Sequence, residues 1–342
     1  MITHRSNSPT KSQTLVQFSS AGRRLELLEI FEKQLNLMGL PSNVGAIDCS
    51  PFAPTILASK TPTLAPRCGD PSFVGNVLQV CEQANTQLLI PLIDTELLIY
   101  SQNRKRFLDV GVLVNVSGPE TIGICRDKLR FGEFLAANGF LAIPSISGSE
   151  ADERIRKGEP LVVKPRFGSS SVGIQRVAHI DEFAPIWGAS EKFVLQPLIV
   201  GTEYSADVFV DGGVRAISIR EQISMHGGET SVGRISSNEE VRSAVNDLVA
   251  TLPDAFGLLN VDLIYSEADS RIYFLEINPR FPGGYPLSHN AGFPAVQWLI
   301  QLGLGESPDY DRAVNLRSLT VTRHLSSTYF DSDSAKILFR SR

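Results

Sequence analysis

The hydrophobic pattern of this chain changes near its middle, and that change limits the folds that its 342 residues can adopt. Up to Asn138, short apolar runs typical of strands alternate with apolar residues at helical spacing, which predicts a parallel, doubly wound sheet. From Leu161 to Asn278, strand patterns and turns follow one another, with one predicted helix at 239–252. The sequence therefore predicts an α/β region with a parallel, Rossmann-like sheet, followed by an α+β region with largely antiparallel sheets.

The first region contains three strand patterns separated by helical patterns. We predict strands at 14–18, 43–47 and 87–91, and helices at 25–38, 73–84 and 127–138. Functional loops of a parallel sheet lie at the carboxyl ends of its strands, which here are residues 19–24, Asp48 and residues 94–96.

Composition argues against several classes of partner. A net charge of −5 is unfavourable for a surface that binds nucleic acid or an anionic membrane, and no apolar run approaches the roughly 20 residues of a membrane span. The four cysteines are scattered without metal-ligand spacing, so we expect neither a zinc site nor a disulfide. Residues 1–12 are polar and lack the apolar segment of a signal peptide, so we expect a disordered tail on a cytoplasmic protein.

Two apolar strand patterns, 259–265 and 272–280, carry acidic residues and are joined by a short polar turn typical of an antiparallel hairpin. A register that pairs Tyr265 with Tyr273 would place Asp262 opposite Glu276. Two facing carboxylates among apolar residues repel each other, so a divalent cation such as Mg²⁺ is a candidate ligand. The alternative is an edge hairpin whose acidic side chains face water.

A second segment joins an apolar strand that carries Lys164 to a loop rich in glycine and serine, residues 167–173, and then to a strand at 174–177. Backbone N–H groups of such a loop can surround phosphate oxygens, while the lysine adds a positive charge. The lysine precedes the glycines and no helix follows, so the segment is neither a P-loop nor a dinucleotide-binding fingerprint. The alternative is a glycine-rich turn with no ligand.

A third segment lies between these two. The strand pattern that starts at Phe193 is interrupted at Pro197, and Glu203 follows a few residues later. The exposed backbone groups of an interrupted strand suit the edge of an adenine ring, and a nearby acid suits ribose hydroxyls. Taken alone, these residues suit a surface loop equally well.

In this chain order, the three segments resemble the ATP-grasp superfamily. The motifs are Lys-Pro at 164–165 with its serine- and glycine-rich loop, Gly-Thr-Glu-Tyr-Ser at 201–205, Asn-Val-Asp at 260–262 and Glu-Ile-Asn-Pro-Arg at 276–280. Ser-Ala-Gly-Arg-Arg at 20–24 and Pro-Leu-Ile-Asp-Thr-Glu at 91–96 are most similar to stand-alone proteins related to the large subunit of carbamoyl-phosphate synthase.

The resemblance implies a domain organisation. It predicts a tail at 1–12, a pre-ATP-grasp domain at 13–125, an ATP-grasp domain at 126–305 and a C-terminal extension at 306–342. Within the ATP-grasp domain it predicts a small lid subdomain at 126–200 and a catalytic subdomain at 201–305. The residues after Gly305 are polar, and we assign them no role.

The resemblance also implies roles for individual residues. The nucleotide would be bound by Lys128, Lys164, Ser169, Ser170, Ser171, Gly173, Gln196, Leu198 and Glu203. The metal, Mg²⁺ or Mn²⁺, would be bound by Asp262, Glu276 and Asn278. The catalytic residues would be Arg280 and Lys164, and the substrate would contact Arg220 and Glu229.

The function that the resemblance implies is an ATP-dependent ligase, which joins a carboxylic acid to an amine through an acyl phosphate and releases ADP and phosphate. Its cofactors would be ATP and Mg²⁺, and its partners would be the two small-molecule substrates, with a homodimer as the default assembly. One ATP-grasp unit without a glutaminase segment leads us to expect no carbamoyl-phosphate synthesis.

Three rival functions stay open at this point. A phosphoryl transferase, such as a carboxylate kinase or an enzyme with carbamoyl-phosphate-type chemistry, would use the same site. A non-catalytic nucleotide-binding protein is disfavoured because the metal ligands and Arg280 are all present. An NAD-binding protein is disfavoured because the glycines after the first strand do not follow Gly-x-Gly-x-x-Gly.

Overall fold

The structure is a computed structural model that describes residues 13–168, 173–178, 192–227, 229–330 and 337–340. Its first region contains five strands: β1 (Val16–Ser19), β2 (Val44–Asp48), β3 (Thr61–Leu64), β4 (Leu88–Pro91) and β5 (Leu113–Val114). They form one sheet in the order β3-β2-β1-β4-β5, and every neighbouring pair is parallel. The predicted parallel, doubly wound sheet is therefore confirmed.

Helices cover this sheet. They are α1 (Leu25–Leu37), α2 (Pro54–Ala58), α3 (Phe73–Gln83), α4 (Asp94–Asp109) and α5 (Pro119–Arg126). In α1 the apolar residues at helical spacing are the buried ones, and Phe31 packs edge-on against Phe18 of β1 with ring centroids 5.1 Å apart. The helix ends before Gly39, whose φ of +71° suits the left-handed conformation of a helix terminus.

A small antiparallel sheet follows α6 (Lys128–Ala137) and α7 (Gly148–Arg156). Its strands are β6 (Leu161–Pro165), β7 (Gln175–Val177) and β8 (Phe193–Pro197), with β6 in the centre. Asp127 caps α6 by accepting a hydrogen bond from the backbone N–H of Leu129 at 3.1 Å. The helix predicted at 127–138 is confirmed with ends within one residue.

The largest sheet has six strands: β9 (Thr202–Val210), β10 (Val214–His226), β11 (Glu229–Ser236), β12 (Gly257–Ser266), β13 (Arg271–Asn278) and β14 (Thr320–Thr322). Their order is β13-β12-β9-β10-β11-β14, and every neighbouring pair is antiparallel. The helix α8 (Glu239–Ala250) buries Val241, Val245 and Leu248 in the apolar cluster of this sheet. The predicted α+β region is confirmed.

The register of the β12–β13 hairpin differs from the prediction in one detail. Asp262 does pair with Glu276, but Tyr265 pairs with Ile272, and Tyr273 pairs with Ile264. The difference comes from a β-bulge, because the pairing passes from Glu276 to Phe274 and leaves Leu275 without a partner. One extra residue in β13 thus lets Asp262 face Glu276 although Tyr265 and Tyr273 are not paired with each other.

The last helices, α9 (Tyr285–Ala291) and α10 (Ala295–Gly303), pack between the two regions. The last strands, β15 (Thr328–Phe330) and β16 (Ile337–Arg340), pair with each other in a two-stranded sheet. Trp298 of α10 belongs to the same apolar cluster as Phe18 of β1, and it contacts Phe209 of β9 with ring centroids 5.2 Å apart. The parallel sheet and the six-stranded sheet therefore share a core, which fixes the cleft between them.

Residues after Gly305, to which the sequence assigned no role, complete the edge of the large sheet. Their strand β14 pairs with β11, with Val232 opposite Thr322. Among the described residues, no helix has both the length and the apolar character needed to cross a membrane.

Candidate active site

A cleft of about 1040 Å³, counted with the space at its open mouth, lies between the six-stranded sheet, the small sheet and the loop after β1. Most residues that the sequence singled out line this one cleft. They are Lys128, Lys164, Glu203, Arg220, Asp262, Glu276, Asn278 and Arg280. These residues come from six separate stretches of chain, so it is the fold that brings them together.

The floor of the cleft carries the two facing carboxylates. Asp262 of β12 pairs with Glu276 of β13 and, on its other side, with Ser205 of β9. Burial, together with the nearby Glu276 carboxylate, raises the pKa of Asp262 above its usual value. Asn278 Nδ2 donates to Asp262 Oδ2 at 3.2 Å and to Glu276 Oε1 at 3.0 Å. The amide therefore holds the carboxylates together in this structure.

Lys128 approaches this acidic pair from the start of α6. Its Nζ lies 3.5 Å from Glu276 Oε2 and donates to the carbonyl oxygen of Gly168 at 3.0 Å. The N-terminus of α6 is fixed because Arg166 donates to both carboxylate oxygens of its cap residue, Asp127, at 2.8 and 2.6 Å. This ion pair lowers the pKa of Asp127, and it links α6 to the strand end that precedes the glycine-rich loop.

Lys164 reaches the cleft from β6, where it pairs with Val194. Burial lowers the pKa of Lys164, and the carboxylates of Glu276 and Glu203 offset part of that effect. A partly desolvated lysine close to a second one, Lys128, forms a cationic wall opposite the acidic floor. Such a wall suits the phosphate groups of a nucleotide.

The donor set on the floor fits a hard divalent cation. Asp262 and Glu276 supply carboxylate oxygens, and their mutual repulsion is the electrostatic cost that a cation would remove. Asn278 presents its nitrogen to them here, so a metal-ligand role for Asn278 requires the opposite amide orientation. No cluster of three His, Cys, Asp or Glu side chains that suits a metal occurs in the described ranges. Phosphate oxygens would therefore have to complete the coordination, as is usual for Mg²⁺.

Arg280 is held by the other region of the molecule. Its Nε and Nη2 donate to the two carboxylate oxygens of Asp94, at 3.0 and 2.7 Å, and its side chain is only 7% exposed. Asp94 is the first residue of α4, and its carbonyl oxygen accepts a hydrogen bond from Arg126. The sequence analysis placed Asp94 at the carboxyl end of a strand, which marks it as a candidate functional residue. Nothing in the sequence pattern connected Asp94 with Arg280.

Arg220 takes part in a buried network that sequence reasoning missed. Its Nε and Nη2 donate to both oxygens of Asp207 at 3.0 Å, and Nη2 also donates to Ser205 Oγ at 3.0 Å. Asn260 and Ser288 complete the hydrogen bonding of this carboxylate and hydroxyl. The signal in the sequence is period-two spacing, because Ser205 and Asp207 alternate with buried apolar residues along β9.

Other predicted residues lie outside the cleft lining. Gln196 donates from Nε2 to the carbonyl oxygen of Ile143 at 3.1 Å, and the N–H of Leu198 donates to that of Pro160 at 3.1 Å. Gly173 has a φ of +79°, and a Cβ there would lie 2.9 Å from Pro165. Only the backbone of Glu229 is described, in β11 opposite His226. The predicted phosphate-binding serines at 169–171 lie outside the described residues. The nucleotide roles of these residues, and the substrate role of Glu229, stay predictions.

Two family models match this chain. Residues 125–284 match the model described as the ATP-grasp domain, and residues 16–115 match the one described as the PylC-like, N-terminal domain. The chain contains an ATP-grasp domain preceded by a PylC-like N-terminal domain. The resemblance found in the motifs is therefore confirmed.

Curated relatives are similar over part of the chain. The large chain of carbamoyl phosphate synthase from Mycobacterium bovis is 28% identical over 239 residues, which are 63% of this chain and 21% of that protein. The D-alanine–D-alanine ligase of Bacillus anthracis is 28% identical over 142 residues, 39% of this chain and 46% of that protein. This ATP-grasp protein thus matches about a fifth of the first relative and under half of the second.

A solved structure gives the same fold. The N5-carboxyaminoimidazole synthetase of Staphylococcus aureus, complexed with ADP, superposes with a TM-score of 0.68 at 16% identity and covers 95% of this chain and 84% of that one. Both matched regions contribute to the cleft. The ATP-grasp region carries the charges from Lys128 to Arg280, and the PylC-like region supplies Asp94, which holds Arg280.

Proposed function

We propose that this ATP-grasp protein is an ATP-dependent ligase that joins a carboxylic acid to an amine and releases ADP and phosphate. The observation that carries the proposal is the set of charges in one cleft, where Asp262 faces Glu276 between Lys128, Lys164 and Arg280. This arrangement suits phosphoryl transfer, in which catalysis consists mainly of positioning and charge stabilisation.

The proposed reaction has two steps that balance without a protein nucleophile. In the first, a substrate carboxylate oxygen forms a bond to the γ-phosphorus of ATP, and the bond between that phosphorus and ADP breaks. In the second, the amine nitrogen bonds to the acyl carbon, the acyl carbon–oxygen bond breaks, and phosphate leaves. The proton lost by the amine passes to solvent.

Each basic residue has a separate role in this proposal. Lys128 and Lys164 bind phosphate oxygens, because both line the cleft beside the acidic floor. Arg280 stabilises the negative charge that develops on the transferred phosphoryl group. Asp94 keeps the guanidinium in place through two hydrogen bonds, so Arg280 needs little reorganisation when the charge appears.

Asp262 and Glu276 would hold Mg²⁺, which when bound neutralises the charge of the phosphate oxygens. Their pairing across β12 and β13 keeps both carboxylates at the base of the cleft. Lys128, whose Nζ lies 3.5 Å from Glu276 Oε2, orients that carboxylate toward the N-terminus of α6.

The experiment that tests the proposal measures ADP and phosphate release from MgATP with pooled carboxylates, with and without pooled amines. ADP release that needs both pools, together with a new amide mass, supports the ligase. A phosphorylated carboxylate formed without any amine would instead assign a phosphoryl transferase. Absence of MgATP binding in a calorimetric titration would overturn both.

Substitution of two lysines, one in the cleft and one outside it, tests whether Lys164 binds phosphate. Lys164→Ala is expected to weaken MgATP binding at least about tenfold, since it removes a charge-assisted contact. Lys157→Ala is the matched control, because Lys157 directly follows α7, has a side chain that is 61% exposed and forms an ion pair with Glu153. Equal MgATP affinity in the two variants would contradict the assignment of Lys164.

A further inference from the structure

Two adjacent rows of polar side chains cross the six-stranded sheet at the base of the cleft. From β10 to β13, the first row is Arg220, Ser205, Asp262 and Glu276, and the second row is Ser218, Asp207, Asn260 and Asn278. On each strand the two members are two positions apart, so the side chains of both rows lie on the same face of the sheet. The proposed metal ligands lie at the β12–β13 end of these rows, whereas the β9–β10 end has no role in the proposed reaction.

The β9–β10 end of the rows is a buried ion pair. Arg220 Nε donates to Asp207 Oδ2 and Nη2 donates to Asp207 Oδ1, both at 3.0 Å, and the exposed fractions of the two side chains are 2% and 0%. Ser288 Oγ also donates to Asp207 Oδ2, at 2.6 Å. A buried charge pair with several hydrogen bonds keeps its members in one geometry. Arg220 is therefore a fixed neighbour for Ser205.

The hydroxyl of Ser205 has both of its acceptor positions filled. Arg220 Nη2 donates to Ser205 Oγ at 3.0 Å, and Asn260 Nδ2 donates to it at 2.8 Å. The amide orientation of Asn260 is determined, because Nδ2 also lies 3.3 Å from two groups that can only accept, the Ala206 carbonyl and the Asp207 carboxylate. A hydroxyl whose two lone pairs are occupied can bind a further group only by donating its hydrogen.

Asp262 is the acceptor for this hydrogen. Ser205 and Asp262 are paired across β9 and β12, and both line the cleft. Burial raises the pKa of Asp262, and a hydrogen bond from the Ser205 side chain offsets part of that rise. The direction of this bond cannot reverse while Arg220 and Asn260 keep their positions. Ser205 differs in this respect from Asn278, whose amide has to turn round before it can bind a cation.

We propose that Ser205 is a positioning residue of the metal site, which holds the Asp262 carboxylate in a fixed direction and is itself held by Arg220 and Asn260. The inference rests on the proposed function, in which Asp262 and Glu276 hold Mg²⁺. Hydrogen bonds from behind a metal ligand set its orientation and the affinity of the site. The motif resemblance implied that Arg220 contacts the substrate, whereas here Arg220 acts on a metal ligand through Ser205.

The test compares nucleotide binding with and without the metal, so it needs no turnover. ADP is titrated calorimetrically into wild type and Ser205→Ala, once in Mg²⁺ and once in EDTA. In Mg²⁺ the substitution is expected to weaken ADP binding about 10–100-fold, the usual cost of losing a partner of a metal ligand. In EDTA the two proteins are expected to bind ADP within about twofold of each other, because no metal ligand then has to be oriented.

The outcomes separate this inference from the ligase proposal. Equal ADP affinity of the two proteins in Mg²⁺ would overturn the role of Ser205, and so would an equal loss in Mg²⁺ and in EDTA, because a general disturbance of the cleft changes both values alike. If wild type binds ADP equally well in both conditions, the metal assignment fails and the inference fails with it. If the loss depends on Mg²⁺ but no carboxylate and amine give an amide, the ligase proposal fails while Ser205 keeps its role.

Ser205→Ala is expected to fold, because the donors around the hydroxyl have other acceptors. Arg220 Nη2 keeps Asp207 Oδ1 at 3.0 Å. Asn260 Nδ2 keeps the same oxygen and the carbonyl of Ala206, both at 3.3 Å. The variant therefore removes the hydrogen bond to the metal ligand without leaving a buried donor unpaired.

Ser218→Ala is the matched control. Ser218 is a buried serine on the same face of the sheet, and its hydroxyl donates to Ser288 Oγ at 2.9 Å instead of to a proposed metal ligand. Both variants are expected to lower the urea midpoint of unfolding by similar amounts, but Ser218→Ala is expected to keep the wild-type affinity for ADP in Mg²⁺. A loss of affinity in Ser218→Ala as large as that in Ser205→Ala would assign the effect to disturbance of the polar rows and overturn the role of Ser205.

Discussion

Two carboxylates of this molecule have raised pKa values but different surroundings. Glu96, at the start of α4 in the PylC-like region, is fully buried, and burial raises its pKa to about 7. Asp262, on the floor of the cleft, also has a raised pKa, because of burial and the facing carboxylate of Glu276. The surroundings of Glu96 indicate a role in the fold, and those of Asp262 support our proposal that it binds a cation.

Glu96 is surrounded by donors. Its Oε2 accepts from Ser19 Oγ and Ser20 Oγ, both at 2.7 Å, and its Oε1 accepts from the backbone N–H of Leu92 at 2.8 Å and of Ile93 at 3.3 Å. These bonds tie the loop after β1 to the loop after β4, where the strand order changes direction. All its hydrogen bonding is satisfied within one region, so Glu96 is a structural residue.

Asp262 lacks such a shell. The repulsion from Glu276 is countered within the described residues by Asn278 Nδ2, the Ser205 hydroxyl and more distant positive charge from Arg220. A carboxylate pair that the protein leaves partly uncompensated, at the base of an open cleft, suits an external cation. The comparison therefore predicts opposite outcomes when each carboxylate is replaced.

The largest expected effect is on turnover. Glu276→Gln should lower the MgATP-dependent rate at least about 100-fold, since changes even outside the ligand shell of a metal cost 10–100-fold. The same change should leave the urea midpoint of unfolding equal to or above that of wild type, because it removes the repulsion with Asp262. Steady-state ADP release and urea unfolding measure the two quantities.

The matched control is Glu267→Gln, in the exposed turn of the same hairpin. It should leave both the rate and the midpoint close to wild type. Retention of wild-type turnover by Glu276→Gln would remove the metal role of this residue, and with it the distinction between the two carboxylates.

The second effect is on stability. Glu96→Ala leaves two hydroxyl and two backbone donors without their acceptor, which should cost about 3–5 kcal/mol of the free energy of unfolding. The folded fraction should still bind MgATP with near wild-type affinity, because Glu96 does not line the cleft. Urea unfolding and calorimetric titration test the two statements. Loss of nucleotide binding without loss of stability would reverse our assignment.

The pH dependence of stability should carry the signature of Glu96. Its pKa is about 7 in the folded protein against an ordinary value of 4.5, so the folded state holds the proton more tightly. The stability that the protonated group contributes is fully present below about pH 4.5 and is lost as pH rises toward 7, by about 3 kcal/mol at most. Glu96→Gln lacks this titration.

The free energy of unfolding of wild type is therefore expected to fall relative to that of Glu96→Gln as pH rises from 5 to 7.5. Subtracting the two curves removes the contribution of all other titrating groups. A difference that stays constant over this range would mean that Glu96 ionises alike in the folded and unfolded chains.

The sequence predicted the fold well where local pattern determines structure. Alternating strand and helix patterns are sufficient for the parallel sheet, and the apolar spacing in α1 is sufficient for its buried face. The facing of Asp262 and Glu276 was predicted from a register that the bulge at Leu275 then altered. A bulge changes pairing by one residue and has no reliable composition signal, so the tyrosine pairing was wrong although the acidic pairing was right.

Contacts between segments that are far apart in the chain could not be predicted from the sequence. Asp94 and Arg280 are 186 positions apart, and long-range packing, such as that of α10 in one apolar cluster with β1 and β9, brings their regions together. The polar C-terminal segment gave no pattern of its own, because β14 is three residues long and forms only against the edge of β11. Such an element depends on a partner surface that must already exist.

The smallest predicted effect concerns Ser20, which combines a hydrogen bond to Glu96 with a φ of +48°. Ser20→Ala loses the hydrogen bond and keeps the left-handed backbone, whereas Ser20→Gly loses the same bond but relieves the conformational cost. Glycine should therefore be the less destabilising replacement, by about 1 kcal/mol, although glycine usually lowers stability relative to alanine. Urea unfolding of the two variants measures this difference directly. An alanine variant as stable as the glycine variant would show that the loop relaxes, and that Glu96 does not hold Ser20 in its left-handed conformation.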